Sequence, residues 1–540
     1  MSKTTPSISV VDVTMEQLDA ILEHAKDLGL PEEEVAILRK VIESNATLIE
    51  LLQQKNLSMK RLKQLLFGKK TETRENVTGK GKETPSDGKK GDPKKKKKKR
   101  KGHGRNSAKD YVGAERKKIP HESLSPGDPC PCCGATVYHT REREIVRVRG
   151  SAPFVATVYE QECLRCGTCQ EVFPAKLPPE VGGEEKYDET VVSMEAFLRY
   201  GNGLPMARIE GLQQVMGMPF PATTQWDLLA KGAKKLAAAY EETLRQAAQG
   251  ELLHNDDTPM KILAYLAEEK KRKERGEPPS KRTGIYTTGI VSVLSDGKQV
   301  VAYFTGKRHA GENLAEVLKK RVSGLDPPKQ MCDGLDRNLP PGFETILGNC
   351  AAHARRKFVD VESAFPSEVE YVIDEFALVY QVDHEAKISG LDDEERLRLH
   401  QAESKPVMDR LKIWMDEQIE DKKVEPNSGL GQAIEYCRKR WDRLTLFLRV
   451  PGAPLDNTIC ERALKRAILH RRNSLFYKTQ NGAAVGDLYM TLIATAKTAG
   501  ADPFDYLNEL QRHAAEVERD PAAWMPWNYR QTLASSSGTA

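Results

Sequence analysis

The pattern of residues 284–304, GIYTTGIVSVLSDGKQVVAYF, sets the fold class that this 540-residue chain is expected to adopt. Apolar and β-branched residues fill 284–294 and 299–304, with the turn-forming sequence SDG between them. This pattern predicts two strands joined by a turn. The preceding residues 252–263, LLHNDDTPMKIL, also have strand character. We therefore expect three consecutive strands.

The residues that follow predict two helices and two further strands. A helix is expected at 313–322, a strand at 328–332 that ends just before Asp333, a strand near 345–347 and a helix from about Ala351. The expected order of elements is therefore three strands, a helix, two strands and a helix. This order is close to that of a ribonuclease-H-like mixed sheet. In that fold the first and fourth strands are neighbours, so acids on these two strands face each other.

Three carboxylates are candidates for one metal-binding cluster. Asp256 lies in the first predicted strand, Asp333 follows the fourth, and Glu461 lies in the basic segment 455–482. Three acids with open water positions suit two Mg²⁺ ions, which clamp the attacking and leaving oxygens of an in-line phosphoryl transfer. Taken singly, each acid has a structural alternative. The aspartates would be turn or cap residues, and Glu461 would form a capping box with Thr458.

Charge and composition narrow the class of protein. The formal net charge is +5, and residues 94–101 form an unbroken basic run in a low-complexity segment. Such a run is typical of a solvated tether, and it adds affinity for phosphates. The sequence has no apolar run of about 18 residues and no signal-peptide pattern. We therefore expect a cytoplasmic protein that neither spans a membrane nor is secreted.

The cysteines predict a structural metal site. Ten cysteines in a cytoplasmic protein favour metal binding over disulfides. Cys130 with Cys133, and Cys163 with Cys166, form two C-x2-C pairs separated by a β-rich segment. This is the spacing of a zinc ribbon, whose thiolates hold one Zn²⁺ in a closed tetrahedral site. The sequence leaves open the role of two additional thiols, Cys132 and Cys169.

Several motifs in the chain resemble those of one protein family. These are LKQLLFGKKTE at 62–72, HNDDTP at 254–259, MCDGLDRN at 331–338, CAAHARRKF at 350–358 and DNTICERALKRAILHRRNSLF at 456–476. They are similar to the motifs of the insertion-sequence-66 family of bacterial transposases, of the TnpC type. The cysteine pattern and the end of DPFDYL also match, so the resemblance covers nearly the whole chain.

The resemblance implies a DDE transposase with a ribonuclease-H-like core. Its two divalent ions, Mg²⁺ or Mn²⁺, would be held by Asp256, Asp333 and Glu461. The family usually has Asp-Glu-Thr where this chain has Asp256-Asp257-Thr258. The sequence leaves open which aspartate is the ligand, because strand alternation lets only one of the two face inward.

The domain organisation follows from the composition, the periodicity and the resemblance. The expected fold is multidomain α+β. The segments, in order, are an N-terminal helical or coiled-coil module for DNA binding or dimerisation (1–70), a basic disordered linker (71–116), the zinc ribbon (117–186), a helical segment with a candidate helix-turn-helix (187–249), the ribonuclease-H-like catalytic domain (250–500) with an all-α insertion (about 363–448), and a C-terminal helix and tail (501–540).

Two further groups of residues are expected near the acids. Cys350 and His353 have C-x2-H spacing, but one such pair does not fill a tetrahedral metal site. We expect these two residues, and Asp257 if it is not a ligand, to support the acids. The cations that would hold DNA phosphates, unless they only face solvent, are Arg355, Arg356, Lys357, Arg462, Lys465, Arg471, Arg472 and Lys478.

The expected activity is DNA transposition in a bacterial cytoplasm, close to the nucleoid. Activated water would cleave a phosphodiester at the transposon end, and the freed 3′-OH would attack target DNA. The expected partners are double-stranded DNA, further copies of the chain and, by the resemblance, small helper proteins of the same element. Two alternatives stay open: a non-catalytic zinc-ribbon DNA-binding regulator, and a repair or recombination nuclease on the same core.

Overall fold

The computed structural model describes residues 125–129, 136, 153–165, 172–176 and 186–537. The predicted N-terminal module and basic linker lie outside these residues, as do Cys130, Cys132, Cys133, Cys166 and Cys169. The coiled coil and the zinc ribbon therefore stay predictions.

Contacts within the chain divide it into two compact units. Of the first unit, the structure describes only Pro366–Glu370, at the start of a helix. The second comprises Pro85–Phe365 and Tyr371–Ala540 and contains a mixed sheet.

The strands of the described residues form two sheets. The short strands β1 (Cys163–Arg165) and β2 (Val172–Pro174) pair antiparallel. The main sheet consists of β3 (Leu252–Pro259), β4 (Tyr286–Val293), β5 (Gln299–Gly306), β6 (Lys329–Cys332) and β7 (Ile346–Asn349). Its order is β5-β4-β3-β6-β7. Neighbours among β3, β4 and β5 are antiparallel, whereas β6 is parallel to both β3 and β7. This mixed α+β arrangement, with β3 beside β6, is consistent with a ribonuclease-H-like core.

Both faces of the main sheet are buried, which explains why β4 and β5 contain apolar, β-branched and small residues but no charged ones. Successive side chains point to opposite faces, and they belong to different buried clusters. Ile290 packs in one cluster and Val291 in the other. Likewise, Ala302 lies in the same cluster as Ile290, and Tyr303 lies in the same cluster as Val291.

Between residue 186 and the main sheet the chain forms four helices. They are α1 (Glu189–Ala196), which continues as a π-helical turn (Phe197–Gly201), α2 (Met206–Val215), α3 (Ala222–Lys235) and α4 (Ala237–Ala247). Only one residue, the fully buried Leu236, separates α3 from α4. The candidate helix-turn-helix stays a prediction.

A helix that the sequence did not predict follows β3. The strand expected to reach residue 263 ends at Pro259, and α5 (Leu263–Glu274) begins shortly afterwards. Proline has no backbone N–H for the strand ladder, so the strand ends there. No side chain of α5 is buried, which explains why no apolar stripe marked this helix in the sequence.

The remaining helices follow the expected order. After β5 come α6 (Ala310–Leu318) and, after β7, α7 (Ala351–Val359). All regular elements between residues 360 and 457 are helical, and they are α8 (Pro366–Ile388), α9 (Asp393–Leu399), a π-helical turn (His400–Ser404), α10 (Lys405–Glu420), α11 (Gly429–Arg438), α12 (Trp441–Leu444) and a 3-10 turn (Leu446–Leu448). The chain ends with α13 (Thr458–Ser474), α14 (Gln480–Thr498), α15 (Pro503–Arg512), α16 (Ala514–Arg519) and α17 (Tyr529–Ser537).

The residues after 500 are part of the core. Tyr506, Leu510 and Trp524 are buried in the same cluster as Tyr303 of β5. The segment expected to be a C-terminal helix and tail therefore packs as several helices beneath the sheet. Among the described residues, no helix is both long enough and apolar enough to cross a membrane.

Helix α14 covers the edge strand β5 with polar side chains. The Asp487 carboxylate accepts from the Thr305 N–H at 2.6 Å, Thr491 Oγ1 from the Tyr303 N–H at 3.0 Å, and Thr495 Oγ1 from the Val301 N–H at 3.1 Å. Residues four apart lie on one side of a helix, and every second N–H of an edge strand lacks a partner within the sheet. Every fourth residue of α14 therefore meets every second residue of β5 along this edge.

Candidate active site

Asp256 and Asp333 lie close together because their strands pair in parallel. Strands β3 and β6 are in register with His254 opposite Met331, and each aspartate lies two residues beyond that pair. Side chains alternate between the faces of a strand, so both carboxylates leave the same face at the same end. The structure thus brings these two predicted acids together.

Glu461 approaches the aspartates from helix α13. The capping box expected between Thr458 and Glu461 is not formed, because Thr458 is itself the first helical residue and Asn457 is the N-cap. One carboxylate oxygen of Glu461, Oε1, is buried and has no hydrogen-bond partner among the described residues. The carboxylate is therefore not used to cap its own helix.

The Asn457 side chain holds the start of α13 against β3. It donates to the Asn255 carbonyl at 3.1 Å, and its Oδ1 lies 3.0 Å from Nδ1 of His254. Burial lowers the pKa of His254 to about 4, so the ring is neutral at pH 7. Since an amide oxygen only accepts, His254 donates from Nδ1. Both bonds link the helix that carries Glu461 to the strand that carries Asp256.

Gly289 lets α13 approach the sheet closely. This glycine pairs with Asp256 across β3 and β4. A Cβ at this position would lie 2.9 Å from Leu464 Cδ2, and the Gly289 carbonyl accepts from the Cys460 thiol at 3.3 Å. Because Glu461 follows Cys460, this contact sets the separation between the helix and the acids on the sheet.

The three acids concentrate negative charge. Burial raises the pKa of Asp256 to about 7, and the charges of Asp333, Asp257 and Glu461 add to the rise, against the opposing hydrogen bond from the Asp257 N–H. Within the described part of the chain, neither Asp256 nor Asp333 forms an ion pair. A cluster of this kind favours a bound cation.

Asn338 orients the Asp333 carboxylate. Its side-chain amide donates to Asp333 Oδ1, which also accepts from the Leu335 N–H at 3.2 Å. Asn349 donates to the Asp333 carbonyl at 3.3 Å. The side chain is therefore fixed by neutral donors, which leave its charge in place.

Asp257 points to the opposite face of β3. Oδ1 accepts from the Thr288 hydroxyl at 2.6 Å, and Oδ2 accepts from the Ala310 N–H at 3.0 Å and lies 3.2 Å from Nδ1 of His309. The side chain is only 1% exposed. These bonds occupy both carboxylate oxygens and join β3 to β4 and to the start of α6.

Cys350 and His353 lie beside Glu461. One ligand atom of each of the three residues lies within 4.8 Å of the others, and Nδ1 of His353 is 3.7 Å from Oε1 of Glu461. Burial raises the pKa of the Cys350 thiol to about 12, and its Sγ accepts from the Asn457 N–H at 3.2 Å. A neutral thiol is a weak metal ligand, so Cys350 contributes a packing and hydrogen-bonding contact at the start of α13.

The sequence of this part of the chain matches one family of known proteins. Residues 185–485 agree with the sequence model described as the Transposase IS66 family. The chain belongs to the IS66 family of transposases. The matched residues include the main sheet, the helical insertion and helix α13, and thus all three acids.

Relatives of this IS66-family chain occur in Sinorhizobium fredii. Uncharacterized protein y4hP is 23% identical over 441 residues, which make up 76% of this chain and 75% of the relative. Uncharacterized protein y4jD is 33% identical over 188 residues, or 34% of this chain and 36% of the relative. The names of these relatives state no activity, so the functional information comes from the family.

Most cations that the sequence proposed for DNA binding are exposed in this IS66-family chain. The exposed ones are Arg356, Lys357, Arg462, Lys465, Arg472 and Lys478. Arg355 is only partly exposed. Arg471 donates to the Thr258 hydroxyl at 2.9 Å and to the Pro259 carbonyl, so it fixes the end of β3.

A basic group next to Asp333 was not among the residues predicted from the sequence. Arg440 donates through Nε and Nη2 to the Gly334 carbonyl at 3.2 and 3.0 Å, and its guanidinium lies 4.3 Å from the ring centroid of Tyr436. The available signal was the cluster RKRWDR at 438–443. It lies in the helical insertion, far along the chain from Asp333, and no periodicity connects the two.

Of the four predicted zinc ligands, only Cys163 is among the described residues. It is exposed at the start of β1. Its neighbours Leu164 and Arg165 pair with Phe173 and Val172. The zinc site itself stays a prediction.

Proposed function

We propose that this IS66-family protein catalyses metal-dependent DNA strand cleavage at transposon ends and strand transfer into target DNA. The proposed catalytic and metal-binding residues are Asp256, Asp333 and Glu461. The observation that supports the proposal is the raised pKa of Asp256, to which burial and the charges of Asp333 and Glu461 contribute, together with the parallel pairing of β3 and β6. Membership of a transposase family supports DNA as the substrate of these acids.

The residues present fit divalent ions. Burial and neighbouring like charges raise the pKa of Asp256 to about 7, and Oε1 of Glu461 is buried without a hydrogen-bond partner in the described part of the chain. Both features are unfavourable in the absence of a cation. Carboxylate oxygens are the ligands that Mg²⁺ and Mn²⁺ prefer, and we propose two ions.

When bound, such ions supply Lewis-acid activation of the attacking oxygen and charge neutralisation at the phosphate. The chain's own residues provide position. The sheet fixes Asp256 and Asp333, and Asn457 fixes the helix end that carries Glu461. In the first step water oxygen bonds to phosphorus and the P–O3′ bond breaks, which leaves a 3′-OH. In the second step the oxygen of this 3′-OH bonds to a phosphorus of the target strand, the P–O3′ bond at that phosphorus breaks, and the target strand leaves with a free 3′-OH. Water and the DNA hydroxyl are the nucleophiles, so the protein itself forms no covalent bond to DNA.

We assign the metal-binding role to Asp256 and a structural role to Asp257. The contacts of Asp257 with Thr288 and Ala310 support this choice, because both of its oxygens already have partners. Cys350 and His353 are proposed to support Glu461. The exposed cations of α7 and α13 are proposed to hold DNA phosphates.

The proposed architecture keeps the boundaries inferred from the sequence. Residues 250–500 would form the ribonuclease-H-like DDE domain, with the helical insertion at about 363–448. A Zn²⁺ ribbon and the N-terminal module would recognise transposon ends or assemble subunits. The proposed partners are double-stranded DNA, further copies of the chain and helper proteins of the same element, in a bacterial cytoplasm near the nucleoid.

An end-cleavage assay tests the proposal. A labelled duplex carrying a terminal inverted repeat of the element is incubated with the full chain and Mg²⁺, Mn²⁺ or a chelator. Wild type is expected to nick the repeat end only with a divalent ion. Asp333→Asn and Glu461→Gln should bind the duplex normally but cleave at least about 100-fold more slowly, since even the loss of a residue that only supports a metal ligand costs 10- to 100-fold.

Glu316→Gln is the matched control, because Glu316 is a surface acid of α6 that pairs with Lys319. It should cleave like wild type. Full cleavage by both acid variants would remove the three acids from the mechanism. Sequence-specific binding by wild type without cleavage under any metal condition would favour the DNA-binding regulator. Cleavage of DNA regardless of the repeat would favour a repair or recombination nuclease.

A further inference from the structure

A basic pocket lies in the helical insertion. Its volume is about 470 Å³, and it is lined by Lys412 of α10 and by residues 438–443, RKRWDR. The lining thus contains five cations and one acid, Asp442. The pocket is open to solvent and its walls are polar, so it fits an anionic group better than an apolar one.

Three of the five cations are already neutralised by carboxylates. Lys412 lies 3.2 Å and Arg438 2.7 Å from the Asp416 carboxylate, and Lys439 lies 3.3 Å from that of Glu435. The other two, Arg440 and Arg443, have no ion pair among the described residues. Two guanidinium groups therefore face the pocket with uncompensated charge.

Arg440 is fixed beside Asp333 without neutralising it. The guanidinium is bonded to the neutral Gly334 carbonyl and lies over the Tyr436 ring. The absence of a side chain at Gly334 makes room for this contact, because a Cβ there would lie 2.2 Å from Nε of Arg440. The Asp333 carboxylate thus keeps its charge while a cation lies next to its backbone.

Arg443 lines the same pocket as Arg440 and belongs to the short helix α12. The two arginines that have no ion pair among the described residues therefore share one surface, and the contact of Arg440 with the Gly334 carbonyl joins that surface to the residue after Asp333. Guanidinium groups bind phosphate through two parallel N–H bonds, and an electrostatic contact at this place would act on DNA next to the acids.

We propose that Arg440 and Arg443 bind backbone phosphates of duplex DNA beside the phosphodiester that is cut, so that the helical insertion forms a phosphate clamp on the Asp333 side of the acid cluster. This inference rests on the proposed function, because it takes the acid cluster as the place of cleavage. It assigns a role in substrate binding to a part of the chain far from the acids in sequence.

The test measures DNA binding separately from cleavage. All proteins carry Glu461→Gln, and binding of a fluorescent duplex with the terminal repeat is followed by anisotropy between about 50 and 200 mM salt. The variants are Arg440→Gln, Arg443→Gln and the double variant. The control is Arg519→Gln, since Arg519 is 76% exposed on α16 and does not line the pocket.

Each pocket variant is expected to lower the salt slope of binding by about 1 and the affinity at about 0.1 M salt by about eightfold, the effect of one lost phosphate contact. The double variant should lose both contacts, and the control should match the parent. Arg443→Gln removes no hydrogen bond to the sheet in the described structure, so circular dichroism and melting temperature should stay unchanged for it.

Parental slopes and affinities in both single variants would overturn the inference. A second result would also overturn the inference. If binding of inorganic phosphate depends on Arg440 and Arg443 but binding of DNA does not depend on them, the pocket is a site for free anions. A clamp that binds DNA as expected in a protein that never cleaves with Mg²⁺ or Mn²⁺ would refute the proposed function instead, so the two failures are distinguishable.

Discussion

Replacing the two neighbouring aspartates by asparagine, one at a time, is expected to change stability in opposite directions. Asp256→Asn should raise the free energy of unfolding of the metal-free protein and abolish cleavage. Asp257→Asn should lower the free energy of unfolding and leave cleavage within about tenfold of wild type, since a structural contact rather than a metal ligand is lost. The contrast follows from the opposite faces of β3 that the two side chains occupy.

The free energy of unfolding should rise in Asp256→Asn because the substitution removes an unfavourable negative charge. Its pKa of about 7, against an ordinary value of 3.8, corresponds to roughly 4 kcal/mol at 1.36 kcal/mol per pH unit. Partial exposure of the side chain reduces this, and we expect about 2 kcal/mol at pH 8. Asparagine keeps the shape and still accepts from the Asp257 N–H, but it carries no charge.

The loss at Asp257 comes from an unmatched donor. The new asparagine has one oxygen, which can accept either from the Thr288 hydroxyl or from the Ala310 N–H, but its amide group then faces the other donor. With the oxygen towards Thr288, the Ala310 N–H has no acceptor. With the oxygen towards Ala310, the Thr288 hydroxyl, which accepts from Asn313 at 2.8 Å, has no acceptor for its own proton. Either arrangement leaves a buried donor without an acceptor. This costs about 1–3 kcal/mol, besides the weaker bonds of a neutral acceptor.

Urea unfolding followed by tryptophan fluorescence, in a chelator and in Mg²⁺ at about pH 8, measures both effects. In the chelator, Asp256→Asn should be the most stable protein, wild type should come next, and Asp257→Asn should be the least stable. Mg²⁺ at about 100 times its dissociation constant should stabilise wild type by about 2.7 kcal/mol and Asp256→Asn far less. A less stable Asp256→Asn in the chelator, or a neutral Asp257→Asn, would refute the assignment of the two faces.

Three further predictions concern other parts of the chain. Burial raises the pKa of Asp487 to about 7, so the stability that this group contributes is fully present below about pH 4 and is lost as the pH rises through 7. In Asp487→Asn the urea midpoint of unfolding should therefore depend less on pH between 4 and 7 than in wild type. The same pH dependence in both proteins would contradict the raised pKa. Gly289→Ala should push Leu464 and α13 away from the sheet, cost about 1–3 kcal/mol and slow end cleavage, whereas a variant with wild-type cleavage would show that this contact does not set the site. Cys163→Ser should lower the zinc content from about one ion per chain towards zero by plasma emission spectrometry, and equal zinc in both proteins would exclude Cys163 as a ligand.

The order of strands along the chain was predictable from the sequence, because β4 and β5 are rich in apolar and β-branched residues and a clear turn sequence separates them. It also placed Asp256 and Asp333 on neighbouring strands. The strand boundary at Pro259 and the helix α5 were missed, because α5 buries no side chain and leaves no periodic pattern.

The contacts that distinguish the acids were not predictable from the sequence. Alternation requires Asp256 and Asp257 to face opposite ways, but only Thr288 and the start of α6 determine which of them is engaged. The capping box of Thr458 failed because Asn457, one residue earlier, took the N-cap position. The link between Arg440 and Gly334 joins residues far apart in sequence, and such contacts appear only when the chain is folded.

The covering of β5 by helix α14 has a consequence for synthesis of the chain. Asp487 lies 182 residues after Thr305, the residue whose N–H it accepts. At about 5–20 residues per second, a ribosome needs roughly 10 to 40 s to make the intervening chain. During that interval the nascent protein carries β5 as an open edge, able to pair with the same strand of another nascent copy. Once α14 has been made and has packed against β5, the edge is closed, and this strand can no longer pair with another copy of the chain.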